Sequence, residues 1–157
     1  MKAVILCGGQ GTRIRDASEL IPKPMLTIGQ QPILWHIMMA YASHGVTEFV
    51  LCLGYKGWHI KEYFLNYQAM ACDITLSTRD SSQVHYHDGP QNDWTVTLAE
   101  TGLHTMTGGR LLAVRKYLDD GPFCLTYGDG LADLDIQALL DFHRRSGKVA
   151  TLSLIHI

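Results

Sequence analysis

Short β-rich apolar runs alternate along this chain with stretches of helical periodicity, and that alternation limits the fold more than any other feature. Lys2–Leu6, Glu48–Leu53 and residues 122–127 (PFCLTY) are apolar for most of their length. Runs of that kind suit strands covered on both faces. Between them, residues 33–43 space Ile33, Leu34, Ile37, Met38 and Tyr41 as a helix would, with Gly45 as the stop. Trp58, Ile60, Tyr63, Phe64 and Tyr67 predict a second helix. Leu111, Leu112, Val114, Tyr117 and Leu118 predict a third, after Gly108-Gly109. Leu134, Ile136, Leu139, Leu140 and Phe142 predict a fourth within residues 133–146, stopped by Gly147. Residues 72–77, 94–99 and 149–154 read as further strands. Strands alternating with helices of about 10–15 residues predict βαβ units, hence an α/β fold with a doubly wound, mostly parallel sheet. Ligands of such sheets bind outside the carboxyl ends of the strands. That points to the loops after Leu6, Leu53 and Tyr127.

The chain of 157 residues has the length of one domain, and with 46% apolar residues it can build a core without disulfides or metals. Its 13 basic residues against 15 acidic ones exclude a nucleic-acid binder that works by bulk charge. The same balance excludes intrinsic disorder. No apolar run approaches the roughly 20 residues of a membrane helix, and the opening one is too short for a signal sequence. No nucleic-acid or membrane partner is therefore expected. Cys7, Cys52, Cys72 and Cys124 lack CxxC spacing and read as free thiols of a reducing cytoplasm. Residues 79–93 are polar with little periodicity, as in a mobile or partner-contacting excursion. The chain stops directly after an apolar run, which is a poor place for a domain to end. Truncation, or a foreign tail over residues 153–157, is expected.

After the first strand come Cys7-Gly8-Gly9-Gln10-Gly11-Thr12-Arg13. Glycines let backbone approach a ligand closely, successive amides can converge on phosphate oxygens, and Arg13 adds a guanidinium fork. A phosphate-binding Walker loop would need Gly-Lys-Ser/Thr, and a dinucleotide fingerprint would need glycine where Ile14 stands. An ordinary strand-to-helix turn also fits the glycines alone. Lys23 lies between Pro22 and Pro24, which hold extended backbone and so fix where its amine points; a rigid surface loop would look the same. Asp129, between Gly128 and Gly130 after a buried strand, has room for a ligand and can hold Mg²⁺ together with substrate phosphates. Asp133 and Asp135 read first as helix cap and dipole partners. Thr105 and the amides of residues 105–110 can read a base edge or simply form a capped helix entrance. His85-x-His87 lacks a third ligand at suitable spacing, so no zinc site is expected. His36 and His44 read as packed or surface histidines.

Taken together, these elements resemble the sugar-1-phosphate nucleotidylyltransferases, whose N-terminal signature is a strand followed by GGxGTR and a later lysine. Residues 22–25 (PKPM), 33–38 (ILWHIM), 54–57 (GYKG), 61–64 (KEYF), 106–111 (MTGGRL) and 126–130 (TYGDG) are similar to the cytidylyl branch of that family. The match runs from Met1 to about Leu152. The resemblance implies a Rossmann-like nucleotidyltransferase fold. It implies transfer of CMP from CTP to α-D-glucose 1-phosphate, giving CDP-glucose and pyrophosphate with Mg²⁺, for bacterial surface polysaccharide. Leu6, Cys7, Gly8, Gly9, Gln10, Gly11, Thr12 and Arg13 would cradle CTP. Lys23 would contact the α-phosphate, and Thr105, Arg110 and Gly128 would bind the nucleotide. Asp129 would hold Mg²⁺, making Arg13, Lys23 and Asp129 the catalytic residues. Cys7 stands where the family commonly has alanine. The family's chain continues with a sugar pocket and a second metal-binding aspartate, so residues 1–157 read as the nucleotide-binding part, with the sugar-binding part absent. A cytoplasmic protein, homo-oligomeric in its full-length form, is expected. A thymidylyl- or uridylyltransferase and a non-catalytic nucleotide-binding module remain as alternatives.

Overall fold

The computed structural model describes residues 1–9, 21–80, 83–89 and 92–153. Along them run β1 (Lys2–Leu6), a 3-10 turn (Lys23–Met25), β2 (Thr27–Ile28), β3 (Gln31–Pro32), α1 (Ile33–Ala42), β4 (Glu48–Leu53), α2 (Gly57–Leu65) and α3 (Tyr67–Ala71). They are followed by β5 (Asp73–Leu76), β6 (Val84–His87), β7 (Thr95–Glu100), α4 (Thr107–Val114), a second 3-10 turn (Arg115–Tyr117), β8 (Cys124–Tyr127) and α5 (Ile136–Ser146). Four strands form one parallel sheet in the order β7-β4-β1-β8.

The two central strands, β1 and β4, are each unbroken apolar runs after their first residue, as burial on both faces requires. Side chains alternate across β1. Ala3, Ile5 and Cys7 join Leu34, Ile37 and Met38 of α1 and Ile60 of α2 on one face. Val4 and Leu6 join Val50, Cys52, Ala99 and Val114 of α4 on the other. Helices therefore cover both faces, and the doubly wound expectation holds. From β1 the chain builds outward through β4 to β7, then crosses back to place β8 on β1's free side. The strand order thus reverses at β1 and β8, where open α/β sheets bind ligands.

Local signals set the helix ends. Gly45 takes φ 80°, and the next amide, Val46 N–H, returns to the Tyr41 carbonyl at 3.1 Å, ending α1. The Asp135 carboxylate accepts the Ala138 N–H at 2.9 Å and opens α5, while Gly147 closes it at φ 60°. Asp135 is thus the cap that its position suggests.

Three expectations need correction. Residues 72–77 do contain a strand, but β5 pairs antiparallel with β6 in a separate ribbon rather than joining the parallel sheet. Both of its faces are exposed, and it alternates apolar Ile74 and Leu76 with polar Asp73 and Thr75, the pattern of an uncovered strand. Within residues 79–93, where no strand is read from the sequence, Val84–His87 form β6, the ribbon's second arm. The strand expected over 149–154 is absent from its described part. Residues 149–153 have no ladder partner among the described residues, and Val149 is fully exposed. β-rich composition makes a strand only where a neighbour takes its backbone hydrogen bonds. Leu154 lies outside the described residues.

Among the described residues, no helix is long and apolar enough to cross a membrane.

Candidate functional site

A cleft of about 320 Å³ opens at the carboxyl ends of β1 and β8. Leu6, Cys7, Gly8 and Gly9 leave β1 along its floor, and Tyr127 and Asp129 leave β8 beside them. Lys23 and Pro24 of the first 3-10 turn close one side, and Thr105, Met106, Thr107 and Arg110 at the start of α4 close another. The ladders continue past the strand ends. The Cys7 N–H donates to the Cys52 carbonyl at 3.0 Å, and the Gly128 N–H donates to the Leu6 carbonyl at 3.0 Å. Two of the three loops marked by the fold rule thus meet at one place. The third, after Leu53, braces the first, with the Tyr55 N–H reaching the Gly8 carbonyl at 3.3 Å.

The structure brings Leu6, Cys7, Gly8, Gly9, Lys23, Thr105, Arg110 and Asp129 to the cleft, with Gly128 buried directly under it. Gln10, Gly11, Thr12 and Arg13 lie outside the described residues. Lys23 sits between two buried prolines, with Pro22 extended at φ −69° and ψ 146°. Its ammonium has no hydrogen-bond or ion-pair partner among the described residues, so its charge is available to the cleft. Two contributors carried no assigned role in the sequence. Tyr127, 61% exposed, lines the cleft from a motif read for its aspartate. Thr101, buried behind the cleft, carried no local signal at all.

Arg110 is only 6% exposed. Its Nη1 donates to the Leu53 carbonyl at 3.0 Å and to Thr101 Oγ1 at 2.6 Å. Its Nη2 donates to the Gly8 carbonyl at 3.0 Å and to the Leu103 carbonyl at 3.5 Å. A Cβ on Gly8 would fall inside this guanidinium, and one on Gly54 would lie 2.7 Å from Nη1. The sequence suggests that the loop glycines admit a ligand. At Gly8 the space is instead filled by the protein's own arginine. At Gly9 a Cβ would meet nothing within 4 Å among the described residues, which leave room there for a ligand.

Burial pushes the Cys7 thiol well above its ordinary value. Nearby Cys52 and Asp129 push it further, and Arg110 partly offsets them. Burial likewise raises Cys52 from 9.0 to about 11, against a smaller opposing effect of Arg110. The folded chain thus holds protons that an unfolded chain releases above pH 9. Stability from these thiols is complete below about pH 9 and is lost above it, through about pH 11 for Cys52 and still higher for Cys7. Melting curves are expected to move to lower temperature across that window. Cys7→Ala should fall less steeply with pH, whatever its melting point at neutrality, and parallel slopes would refute the assignment.

Asp129 is the carboxylate that lines the cleft among the described residues. No group of three His, Cys, Asp or Glu side chains there could enclose a metal ion. An exposed single carboxylate beside room for phosphates fits a hard divalent cation such as Mg²⁺, which keeps several waters and takes one or two carboxylates with substrate oxygens. On the ribbon, the His85 and His87 rings lie 4.4 Å apart, and His87 Nε2 is 2.9 Å from Thr75 Oγ1.

A family model described as nucleotidyl transferase matches residues 2–156. The chain is 51% identical over 154 residues to glucose-1-phosphate cytidylyltransferase of Salmonella typhimurium, covering 98% of this chain and 60% of that protein. It therefore spans about 60% of the length of this relative. Among solved structures, HddC from Yersinia pseudotuberculosis, complexed with GMP-PN, superposes with a TM-score of 0.65 at 27% identity, over 90% of this chain and 53% of that one. A UTP-bound UGPase from Acinetobacter baumannii shares the fold, with a TM-score of 0.69 at 18% identity over 93% of this chain and 53% of that one.

Proposed function

Because the chain belongs to the nucleotidyl transferase family, we propose that it forms the nucleotide-binding part of an enzyme that transfers CMP from CTP to glucose 1-phosphate. One juxtaposition supports this: a lysine without a partner and a glycine without a close neighbour among the described residues line one cleft with an exposed aspartate, at the point where the strand order reverses. A cation, a backbone donor and a potential metal ligand are what a nucleoside triphosphate requires. The 51% identity to a cytidylyltransferase favours CTP as that triphosphate.

In the proposed reaction a phosphate oxygen of glucose 1-phosphate attacks the α-phosphorus of CTP in line. The new P–O bond forms as the bond to the bridging oxygen breaks, and pyrophosphate leaves. The nucleophile is already ionised, so no general base is needed, and catalysis is positioning and charge neutralisation. Lys23 offsets charge on the α-phosphoryl group, and Arg13 is proposed to do so on the leaving pyrophosphate. Gly8 and Gly9 carry the backbone along the phosphates. Thr105 lies where the nucleoside would reach the start of α4. Asp129 would hold a divalent cation together with the substrate phosphates, and that cation, when bound, supplies further charge neutralisation.

Calorimetric titration of the chain with CTP, UTP, dTTP and GTP in the presence of Mg²⁺ tests the assignment. CTP is expected to bind about ten-fold or more tightly than each competitor, the margin that one gained or lost hydrogen bond supplies. Equal affinities, or a preference for another base, would refute it.

A further inference from the structure

Resting on the nucleotide reading of the cleft, we infer that Arg110 is a positioning residue, which turns the Gly8–Gly9 peptide so that the Gly9 N–H faces the cleft as an anion donor. The guanidinium already spends both hydrogens of each Nη atom on protein oxygens, at Leu53 and Thr101 from Nη1 and at Gly8 and Leu103 from Nη2. A direct contact from either Nη to a phosphate would have to break one of these bonds. One of the four fixes the Gly8 carbonyl, and in a planar trans peptide the next N–H points the opposite way. Gly9 itself lines the cleft, and among the described residues nothing lies within 4 Å of where its Cβ would be. The Tyr55 N–H holds the same Gly8 carbonyl at 3.3 Å, so two donors set the peptide's orientation.

The glycines at 8 and 54 follow from the same arrangement, since a side chain at either would collide with the arginine. No carboxylate pairs with Arg110 among the described residues, so its charge is not cancelled behind the cleft. A lysine would keep that charge. It could not reproduce a planar fork that reaches four oxygens on three loops.

The chain is compared with Arg110→Lys, Arg110→Ala, Gly8→Ala and the Gly8→Ala/Arg110→Ala double variant. CTP with Mg²⁺ is the probe, and the Gly9 amide resonance in ¹H–¹⁵N spectra is followed alongside thermal melting. In the unmodified chain the Gly9 amide is expected to shift on CTP addition. Arg110→Lys is expected to lose that shift and about ten-fold or more in CTP affinity, with the β4 amides in place. Gly8→Ala should give the same loss with Arg110 still present, which decides the matter even if the Arg110 variants do not fold. In the double variant, Gly8→Ala should add little to the melting loss, because the space it needs has been vacated. Arg110→Lys binding within about two-fold of the unmodified chain, or melting losses that simply add, would overturn the inference. No CTP response in the unmodified chain would instead sink the nucleotide reading, and the melting comparison would still decide whether Arg110 fixes the loop.

Discussion

In the full-length enzyme of which this chain is proposed to form a part, Lys23→Ala is expected to slow pyrophosphate release from CTP and glucose 1-phosphate by about 10²–10³-fold, the usual cost of removing one preorganised charge-stabilising group. The melting temperature should barely move. The side chain is only half-buried, its ammonium has no partner among the described residues, and the turn that carries it is set by Pro22 and Pro24. A substitution of this kind typically changes stability by less than about 0.5 kcal/mol. Assays of both quantities on one preparation separate the outcomes. A melting drop of several degrees with the rate retained per folded molecule would make Lys23 structural. Asp129→Ala should behave alike in rate, and its deficit should narrow as Mg²⁺ is raised, because the lost contact belongs to the ion.

The second large effect is expected at Gly9→Val. A Cβ there meets nothing within 4 Å among the described residues, so the fold should tolerate it and melting should stay near that of the unmodified chain. The added side chain would occupy the space through which phosphate reaches backbone. A loss of about 100-fold in CTP affinity is expected, equivalent to about 2.7 kcal/mol. Unchanged CTP affinity would mean that the phosphates run elsewhere. Gly8→Ala makes the contrast, since its neighbour is the buried guanidinium rather than open space, and it should disturb the protein even without nucleotide.

Much of this was legible before any coordinates. Lys2–Leu6 and Glu48–Leu53 are apolar on successive residues because each serves two faces of the sheet. Both the strands and their central position follow from that. The helices over Ile33–Ala42 and Ile136–Ser146 were legible because their apolar spacing ends at Gly45 and Gly147, each with positive φ. Lys23 and Asp129 stood out because proline and glycine flank them. The β5–β6 ribbon was not legible as a separate sheet, since pairing direction is set by partners distant in sequence. Nor was the occupant of the space beside Gly8. A glycine that admits a ligand and one that admits an arginine 102 positions away look identical in sequence. Residues 149–153 show the converse error, with strand composition but no neighbour to pair with among the described residues.

The strand order also sets an order of assembly. Ala3 pairs with Phe49 on one side and with Cys124 on the other, more than twice as far along the chain. Closing the longer loop costs about 0.9 kcal/mol more in chain entropy, and the shorter closure carries the better-buried strand. The half built from β1, β4 and β7 can therefore consolidate first, including the carbonyls of Gly8, Leu53 and Leu103 that Arg110 gathers. β8 then docks as an edge strand with half its residues exposed, and only its arrival sets Asp129 and Tyr127 opposite Lys23. A detachment of that one strand would take the acidic side of the cleft away while leaving the glycine loop in place. Were β8 to open on its own, as an edge element can, nucleotide spanning both walls would fasten it to the rest of the sheet.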